Sequence, residues 1–199
     1  MNGLRKKIGM DEAIEVFSGA APLKKKIREF FMACGLYINN VYGLSETTGG
    51  ITALLPEQKH LYYPLSCGIP IPTSEVKIDS ESNEVLCRGR TVFMGYLGRE
   101  AQTINAIDKN RFFHSGDLGK FNETGNMFII GRKKEIIVTA GGENVAPYPI
   151  ENNIISKINK FASWVVVIGD DRKFLTALIA IKNSHDATQV PCDEIEDEA

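Results

Sequence analysis

Residues 113–151 read FHSGDLGKFNETGNMFIIGRKKEIIVTAGGENVAPYPIE, and this stretch decides how the chain is organised. It holds three kinds of segment. His114–Asp117 is predicted to be a tight turn that presents one carboxylate, and Gly131–Lys134 a basic elbow between two short β-rich segments. Ala140–Asn144 is a glycine loop, and the proline-rich run after it predicts the start of a helix.

Asp117 and Arg132 are the candidate ligand-binding residues of this stretch. A carboxylate accepts two hydroxyl hydrogen bonds and a guanidinium donates several, so the two together suit a sugar diol. Glycines beside them let backbone approach a ligand closely. The alternative is an exposed ion pair between two strands, which contributes little to stability. The stretch alone leaves both interpretations open.

The composition is that of an ordinary globular protein. Of the 199 residues, 43% are hydrophobic and 24% are charged, which is enough for a packed core in one domain or two small ones. The net charge of −2 gives no reason to expect a nucleic-acid partner. The basic clusters at 5–7 and 24–28 are interpreted as solvated faces, and peripheral contact with a membrane surface is the alternative.

Cysteine and histidine usage bears on the compartment and on metals. The four cysteines are scattered without paired spacing, which indicates a reducing compartment rather than a disulfide framework or a zinc site. The three histidines form no metal-ligand pattern. No apolar run approaches the roughly 20 residues of a spanning helix. We therefore expect the protein in the cytoplasm, or peripheral on the cytosolic side of a membrane.

A strand end near the N-terminus is the first candidate part of a ligand site outside the opening stretch. Val16–Ser18 predicts a short buried strand. It stops at the small residues Gly19, Ala20, Ala21 and Pro22, where a flat ligand can lie against backbone. A plain strand-to-helix turn is the alternative.

The second strand end is the run Tyr42–Gly50, which directly follows the predicted strand 37–41. Tyr42 can stack on a planar base, Ser45 can donate to a phosphate oxygen at a helix start, and Glu46 can hold a hard cation such as Mg²⁺. A helix-capping segment is the structural alternative. Two β-α units side by side predict a parallel sheet with ligand loops at the carboxyl ends of its strands.

The rest of the chain predicts two further β-rich parts. Residues 56–128 are strand-rich with frequent turns, which suits a small antiparallel barrel or sheet. After the elbow, a helix at about 148–158 precedes two apolar strands joined by Gly169–Arg172, which is a strong hairpin signal. This pattern indicates a second, α+β unit, followed by an acidic and disordered tail at 193–199.

Taken together, these motifs resemble the adenylate-forming ligase superfamily, which includes acyl-CoA synthetases, firefly luciferase and peptide-synthetase adenylation domains. The resemblance covers nearly the whole chain and rests on four motifs that occur in the family's order and spacing. These are SGAAPL at 18–23, YGLSET at 42–47, HSGD at 114–117 and GRKKE at 131–135. Further segments at 65–68, 89–97, 139–145 and 169–175 are similar to the bubblegum type of long-chain fatty acid–CoA ligase.

The resemblance implies an α/β fold. Residues 1–131 would be the end of a large parallel-sheet domain, with a small β-barrel-like subdomain at about 56–131. Residues 132–134 would be the hinge about which a small α+β domain, at 135–199, rotates between two half-reactions. In the implied reaction a fatty carboxylate attacks the α-phosphate of MgATP, and the acyl group then passes from AMP to the CoA thiolate.

The resemblance also implies a role for each candidate residue toward ATP, Mg²⁺ and CoA. The adenine would be lined by Gly19, Ala20, Ala21 and Pro22 and stacked on by Tyr42, and the ribose hydroxyls would be held by Asp117 and Arg132. Ser45 would contact the α-phosphate, and Glu46 would hold the Mg²⁺. Lys134 would be the hinge residue, and the pantetheine path of CoA would be bordered by Gly141 and Gly142.

Two catalytic elements of the family have no counterpart in these residues. There is no Ser/Thr/Gly-rich phosphate loop ending in Pro-Lys, and neither Lys173 nor Lys182 has the context of the family's C-terminal catalytic lysine. We therefore expect an internal fragment or short isoform that is catalytically inactive alone, because positioning and charge stabilisation of the triphosphate would be lost. Two alternatives stay open: a non-catalytic binding or partner module, and a branch of the superfamily that activates an aryl or amino acid.

Overall fold

The computed structural model describes residues 2–20, 23 and 25–182, and its backbone divides between Ile129 and Ile130 into two compact units. Ala21, Pro22 and the predicted acidic tail lie outside the described residues. The predicted hinge at 132–134 begins shortly after this division, and its rotation stays a prediction. Among the described residues, no helix has the length and apolarity that crossing a bilayer requires.

The first unit is built mostly from short strands, as its sequence predicts. Its elements, up to the strand that crosses the division, are α1 (Asn2–Lys7), β1 (Val16–Ser18), α2 (Lys25–Ala33), β2 (Ile38–Asn40), β3 (Tyr42–Leu44), β4 (Gly49–Ala53), β5 (Ile69–Pro70), β6 (Ser74–Ile78), β7 (Glu84–Gly89), α3 (Glu100–Ala106), β8 (Phe113–Phe121) and β9 (Met127–Arg132). The strands form three sheets, with the orders β1-β2, β3-β4-β5 and β6-β7-β8-β9.

The strands β1 and β2 are parallel, which confirms the predicted pairing of the first two strands. Val16 lies opposite Ile38 and Ser18 opposite Asn40. The Val41 N–H then donates to the Ser18 carbonyl at 2.8 Å and extends the pairing by one residue. Because parallel strands run in the same direction, the segments that follow β1 and β2 start from the same edge of the pair.

The hairpin β3–β4 is closed by a single 3₁₀ turn, Ser45–Thr47, instead of the helix start predicted there. The buried Thr47 hydroxyl explains the turn. It accepts the backbone N–H at the end of β3 at 2.9 Å and donates to the Gly49 carbonyl at 2.7 Å, which returns the chain into β4. Gly43 lies opposite Gly50 in this hairpin, and a Cβ at Gly43 would collide with the Gly49 carbonyl.

The core of the first unit lies where β4, β7 and β8 meet. Ile51 and Cys87 are fully buried and Phe113 is 2% exposed. Tyr42 and Leu44 of β3 pack against these three residues. A candidate ligand-binding residue is therefore anchored directly on the core.

The segment His114–Asp117 is not the isolated tight turn that its Ser-Gly-Asp composition predicts. It lies inside β8, because Phe113 pairs with Cys87 and Leu118 pairs with Glu84 on either side of it. The register shifts within this pairing, and Gly116 keeps a φ of +74° that favours glycine. The segment is thus an irregular stretch of a paired strand, which fixes its carboxylate more firmly than a free turn would.

The second unit contains the predicted helix and hairpin. Its elements after β9 are β10 (Ile137–Val138), β11 (Asn144–Val145), α4 (Pro147–Ile158), β12 (Ala162–Ile168) and β13 (Thr176–Ile181). A proline stands at the start of α4, as expected of a first helical residue. Along β12 the side chains alternate, since Val165 and Val167 are buried whereas Trp164 is 73% exposed.

Candidate nucleotide site

The first part of the candidate site is the backbone of Gly19 and Ala20, directly after β1. A Cβ at Gly19 would come within 3.3 Å of the Val41 carbonyl oxygen, which is tighter than ordinary contact. Ala20 has a φ of 64°, a left-handed conformation that is uncommon for residues other than glycine. The segment therefore presents little side chain next to the end of β2, which is followed closely by Tyr42.

Tyr42 and Asp117, the predicted adenine and ribose residues, lie in contact. The Tyr42 hydroxyl donates to Asp117 Oδ2 at 2.7 Å across 75 positions of sequence. Asp117 is only 4% exposed, so its carboxylate is held within the unit rather than on a solvated surface. The ring of Tyr42 and the carboxylate thus form one site element built from β3 and β8.

The Tyr42 phenol is a hydrogen-bond donor over the whole physiological pH range. Burial raises its pKa above the ordinary value of 10.0, and the Asp117 carboxylate raises it further, although a hydrogen bond with Ser115 opposes both. A charged phenolate beside a carboxylate would be disfavoured for the same two reasons.

This pKa shift predicts an alkaline loss of stability that depends on Tyr42. Below pH 10 the phenol is protonated in both the folded and the unfolded chain, so its contribution is fully present. Above pH 10 the unfolded chain loses the proton that the folded chain keeps, and stability falls by up to about 1.4 kcal/mol per pH unit. Urea unfolding between pH 8 and 11 should therefore show a steeper fall for the wild type than for Tyr42→Phe.

The control for this measurement is Tyr37→Phe, a hydroxyl deletion at a 57% exposed tyrosine of the same unit. Its pH profile should run parallel to that of the wild type. Parallel profiles for Tyr42→Phe as well would contradict the burial of an un-ionised phenol against Asp117.

Glu84 holds the segment that carries Asp117, a role that only a lone carboxylate in an apolar strand could have indicated beforehand. Glu84 is 4% exposed, and its Oε1 accepts the Gly116 N–H at 2.9 Å. Its Oε2 lies 3.3 Å from His114 Nδ1. The Ser115 hydroxyl accepts the Asp117 N–H at 3.0 Å and completes the local support.

Ser45 and Glu46, the predicted phosphate and metal residues, follow Tyr42 on the same hairpin. Ser45 is exposed at the start of the 3₁₀ turn, and Glu46 is partly buried. The Tyr96 hydroxyl donates to Glu46 Oε1 at 2.9 Å. Tyr96 was not among the predicted site residues, although it lies in one of the segments, 89–97, that carry the family resemblance.

The donor set fits a magnesium ion that is shared with a ligand. Within the described residues, no group of three or more histidine, cysteine, aspartate or glutamate side chains is placed to hold a metal. Mg²⁺ characteristically takes one or two carboxylates together with phosphate oxygens and water rather than a full protein cage. Glu46 alone, in a turn next to the nucleotide residues, is compatible with such a shared site.

The remaining predicted residues belong to the second unit. Arg132 and Lys134 are exposed at and after the end of β9, and a 3₁₀ turn, Lys133–Glu135, follows Arg132. Gly141 and Gly142 form an exposed turn in which the Gly142 N–H donates to the Thr139 carbonyl at 2.8 Å. The described contacts join Tyr42 to Asp117, and Ser45 and Glu46 follow Tyr42 along the chain in the turn of the β3–β4 hairpin. The ligand contacts of all these residues stay predictions.

Comparisons with known proteins bear on the family of the chain. The family described as AMP-binding enzyme matches residues 3–97, and the one described as AMP-binding enzyme C-terminal domain matches residues 134–198. The long-chain-fatty-acid–CoA ligase ACSBG2 of Xenopus laevis is 40% identical over 201 residues, which cover 98% of this chain and 27% of that protein. The long-chain-fatty-acid–CoA ligase heimdall of Drosophila melanogaster is 40% identical over 198 residues, covering 98% and 29%. The chain thus spans less than a third of the length of these relatives.

Solved structures share the fold. The O-succinylbenzoate–CoA synthetase of Bacillus subtilis with its acyl-adenylate intermediate superposes with a TM-score of 0.75 at 23% identity, covering 92% of this chain and 38% of that one. The same enzyme with ATP and magnesium gives a TM-score of 0.71 at 25% identity, covering 91% and 38%. With both family descriptions matched in order along one sequence, the chain belongs to the AMP-binding, adenylate-forming enzyme family, and its relatives include the bubblegum-type long-chain-fatty-acid–CoA ligases.

Proposed function

We propose that this chain carries the adenine, ribose and magnesium side of a site in which a long-chain fatty acid is activated by ATP and then transferred to CoA. The observation that carries the proposal is the 2.7 Å hydrogen bond from Tyr42 to Asp117, beside the Ser45–Glu46 turn. A nucleotide with a bound cation needs a ring for its base and a carboxylate for its ribose. It also needs a hydroxyl for its phosphate and a second carboxylate for the cation.

The adenosine part of the nucleotide would lie between the backbone of Gly19 and Ala20 and the ring of Tyr42. Small residues after β1 would let a flat base approach the backbone closely, and an aromatic face would give it a stacking partner. Asp117 would accept the ribose hydroxyls while it keeps the Tyr42 hydrogen bond, since a carboxylate has about four acceptor positions. The assignment of Arg132 to the ribose hydroxyls stays a prediction.

The phosphate part would meet Ser45 and Glu46. The exposed Ser45 hydroxyl would donate to an α-phosphate oxygen, and Glu46 would hold the Mg²⁺ directly or through water. When bound, Mg²⁺ supplies charge neutralisation at the phosphate oxygens on which the reaction builds up negative charge. Hydrogen-bond donors set in advance toward those oxygens add to the same stabilisation.

The second half-reaction would use the second unit. Lys134 would be the hinge residue between the two half-reactions, and the Gly141–Gly142 turn would border the path by which the CoA thiol reaches the acyl group. Lys134 lies in a short, exposed 3₁₀ turn, where the backbone can change direction without disrupting a longer element. This position supports the proposed hinge role.

The substrate class comes from the relatives. Two proteins that are 40% identical over nearly the whole of this chain are named long-chain-fatty-acid–CoA ligases. We propose the same acid class here, with the cytoplasm or the cytosolic face of the endoplasmic reticulum as the location. An acid panel on a longer form of the gene product tests this, and a preference for aryl or amino acids would contradict it.

The 199 residues alone are expected to bind AMP but to release none from MgATP. They include the groups proposed for adenine and ribose, whereas their sequence has no Ser/Thr/Gly-rich phosphate loop and no lysine in the family's catalytic context. Binding is measured by titration calorimetry with AMP. Turnover is measured as palmitate- and CoA-dependent AMP release, with a full-length bubblegum-type ligase as the positive control.

Each outcome of this pair of measurements has a distinct meaning. Binding without AMP release supports the proposal and also fits a non-catalytic nucleotide-binding module. Clear AMP release would mean that another group handles the triphosphate, and the inactivity of these residues would be refuted. No AMP binding would contradict the proposed nucleotide role itself.

A further inference from the structure

The Ser45–Thr48 turn is held by one short segment of the chain, residues 91–96, which we name the clamp segment. Its hold consists of three hydrogen bonds, one to the Thr48 side chain, one to the Glu46 backbone carbonyl and one to the Glu46 side chain. They run from Thr48 Oγ1 to the Thr91 carbonyl at 2.8 Å, from the Phe93 N–H to the Glu46 carbonyl at 2.8 Å, and from the Tyr96 hydroxyl to Glu46 Oε1 at 2.9 Å.

The clamp segment is itself fixed to the unit. The Tyr96 N–H donates to Thr103 Oγ1 at 2.9 Å, which ties the segment to α3. The ring of Phe93 packs edge-on against Tyr96 at 4.8 Å and against Phe113 of the core at 5.5 Å between ring centroids. Gly95 has a φ of +147°, and a Cβ there would collide with Thr103. Tyr96 is therefore a rigid donor rather than a mobile surface tyrosine.

We propose that Tyr96 is a positioning residue that holds the Glu46 carboxylate in the orientation required for a divalent cation bound with a nucleotide. The inference rests on the proposed function, because it assumes that Glu46 receives the cation. A glutamate side chain has three rotatable bonds, so a fixed donor on Oε1 removes much of the freedom that binding a cation would otherwise have to remove. The contact uses one of the two carboxylate oxygens, and a cation can take the other.

The role of Tyr96 rests on this geometry, in which one fixed phenol hydroxyl donates to Glu46 Oε1. If Tyr96 only supported the fold, its loss would weaken nucleotide binding equally with and without the metal. The test therefore compares nucleotide affinity in the two conditions.

The first measurement tests the contact in solution without any nucleotide. The chain is labelled with ¹³Cζ-tyrosine, and the Tyr96 resonance is compared between the wild type and Glu46→Gln at neutral pH. Loss of the carboxylate should shift the Tyr96 resonance and leave that of Tyr37 unchanged. An unchanged Tyr96 resonance would overturn the inference, whatever the nucleotide affinity.

The second measurement compares ATP binding with and without Mg²⁺ by titration calorimetry. Tyr96→Phe, which keeps the ring, should weaken ATP binding in the presence of Mg²⁺ roughly tenfold, as expected for the loss of a partner that orients a metal ligand. ATP binding without Mg²⁺ should change by less than about twofold. Glu46→Gln should remove the same metal-dependent part of the affinity, and Tyr37→Phe, with its far-UV circular dichroism as a fold control, should behave as the wild type.

The outcomes separate this inference from the proposed function. Equal weakening with and without Mg²⁺ in Tyr96→Phe, or no weakening at all, would overturn the positioning role and leave the nucleotide site in place. A wild type that binds neither AMP nor ATP would refute the proposed function and this inference with it, and a wild type that binds AMP but no ATP would overturn this inference alone. If Tyr96→Phe loses only the Mg²⁺-dependent part of its ATP affinity, and the Tyr96 resonance shifts in Glu46→Gln, the results support both the proposed function and this inference.

Discussion

Gly43→Ala is expected to destabilise the first unit by roughly 3 kcal/mol, the upper end of the usual cost of overpacking. The new Cβ would collide with the Gly49 carbonyl and lie 2.7 Å from Gly50 Cα. These are backbone atoms of a paired strand, so no side-chain rotamer change relieves the contact. The strands β3 and β4 would have to separate, and Tyr42 and the Ser45–Thr47 turn would move with them.

Urea unfolding followed by far-UV circular dichroism measures this loss, with the transition of the first unit shifting to lower urea. Gly3→Ala is the matched control, since a Cβ there meets nothing within 4 Å and the residue lies in α1, where alanine is preferred to glycine. A Gly43→Ala transition within about 1 kcal/mol of the wild type would show that the β3–β4 hairpin is not packed as described.

Asp117→Asn is expected to weaken AMP binding about a hundredfold. Two hydrogen bonds to a charged acceptor contribute about 1.5 kcal/mol each, and their combined loss of about 3 kcal/mol corresponds to slightly more than two powers of ten. Asparagine has nearly the same shape, and its carbonyl can still accept the Tyr42 hydroxyl. The substitution therefore removes charge from the proposed ribose contact while disturbing the surrounding packing little.

The sharpest form of this test compares AMP with 2′,3′-dideoxy-AMP, which lacks both ribose hydroxyls. The wild type should prefer AMP strongly, and Asp117→Asn should bind the two nucleotides with nearly equal affinity. Glu123→Gln, at an exposed residue of the same unit, is the control for a loss of one negative charge. A preference for AMP that survives in Asp117→Asn would remove Asp117 from the ribose site.

Local patterns predicted much of the first unit. The small residues after Val16–Ser18 and the polar run from Tyr42 were expected at neighbouring strand ends, and the parallel register of β1 and β2 places them there. In the second unit, Gly169–Arg172 between two apolar runs predicted the hairpin β12–β13. These successes share a cause, since hydrophobic runs and turn residues act within a few positions of themselves.

Contacts between distant positions were beyond such patterns. Tyr42 and Asp117 are 75 positions apart, and each was assigned to the nucleotide separately, without any expectation that they touch. Glu84 gave no sign that it supports the Asp117 segment, because a buried carboxylate in a strand looks like any polar residue until its partners are known. The Ser-Gly-Asp run was wrongly predicted as a turn, since tertiary pairing with β7 overrides its local preference.

The exposed position of Trp164 decides how these experiments can be followed optically. It is the single tryptophan of the sequence, and it stands on the outer face of β12 in the second unit with 73% of its surface open to solvent. An indole this exposed is expected to emit much as a free tryptophan side chain does in water, so its emission should change little when the chain denatures. Fluorescence excited at the tryptophan band should therefore report little on the first unit, whose unfolding is better followed through the absorbance of its tyrosines.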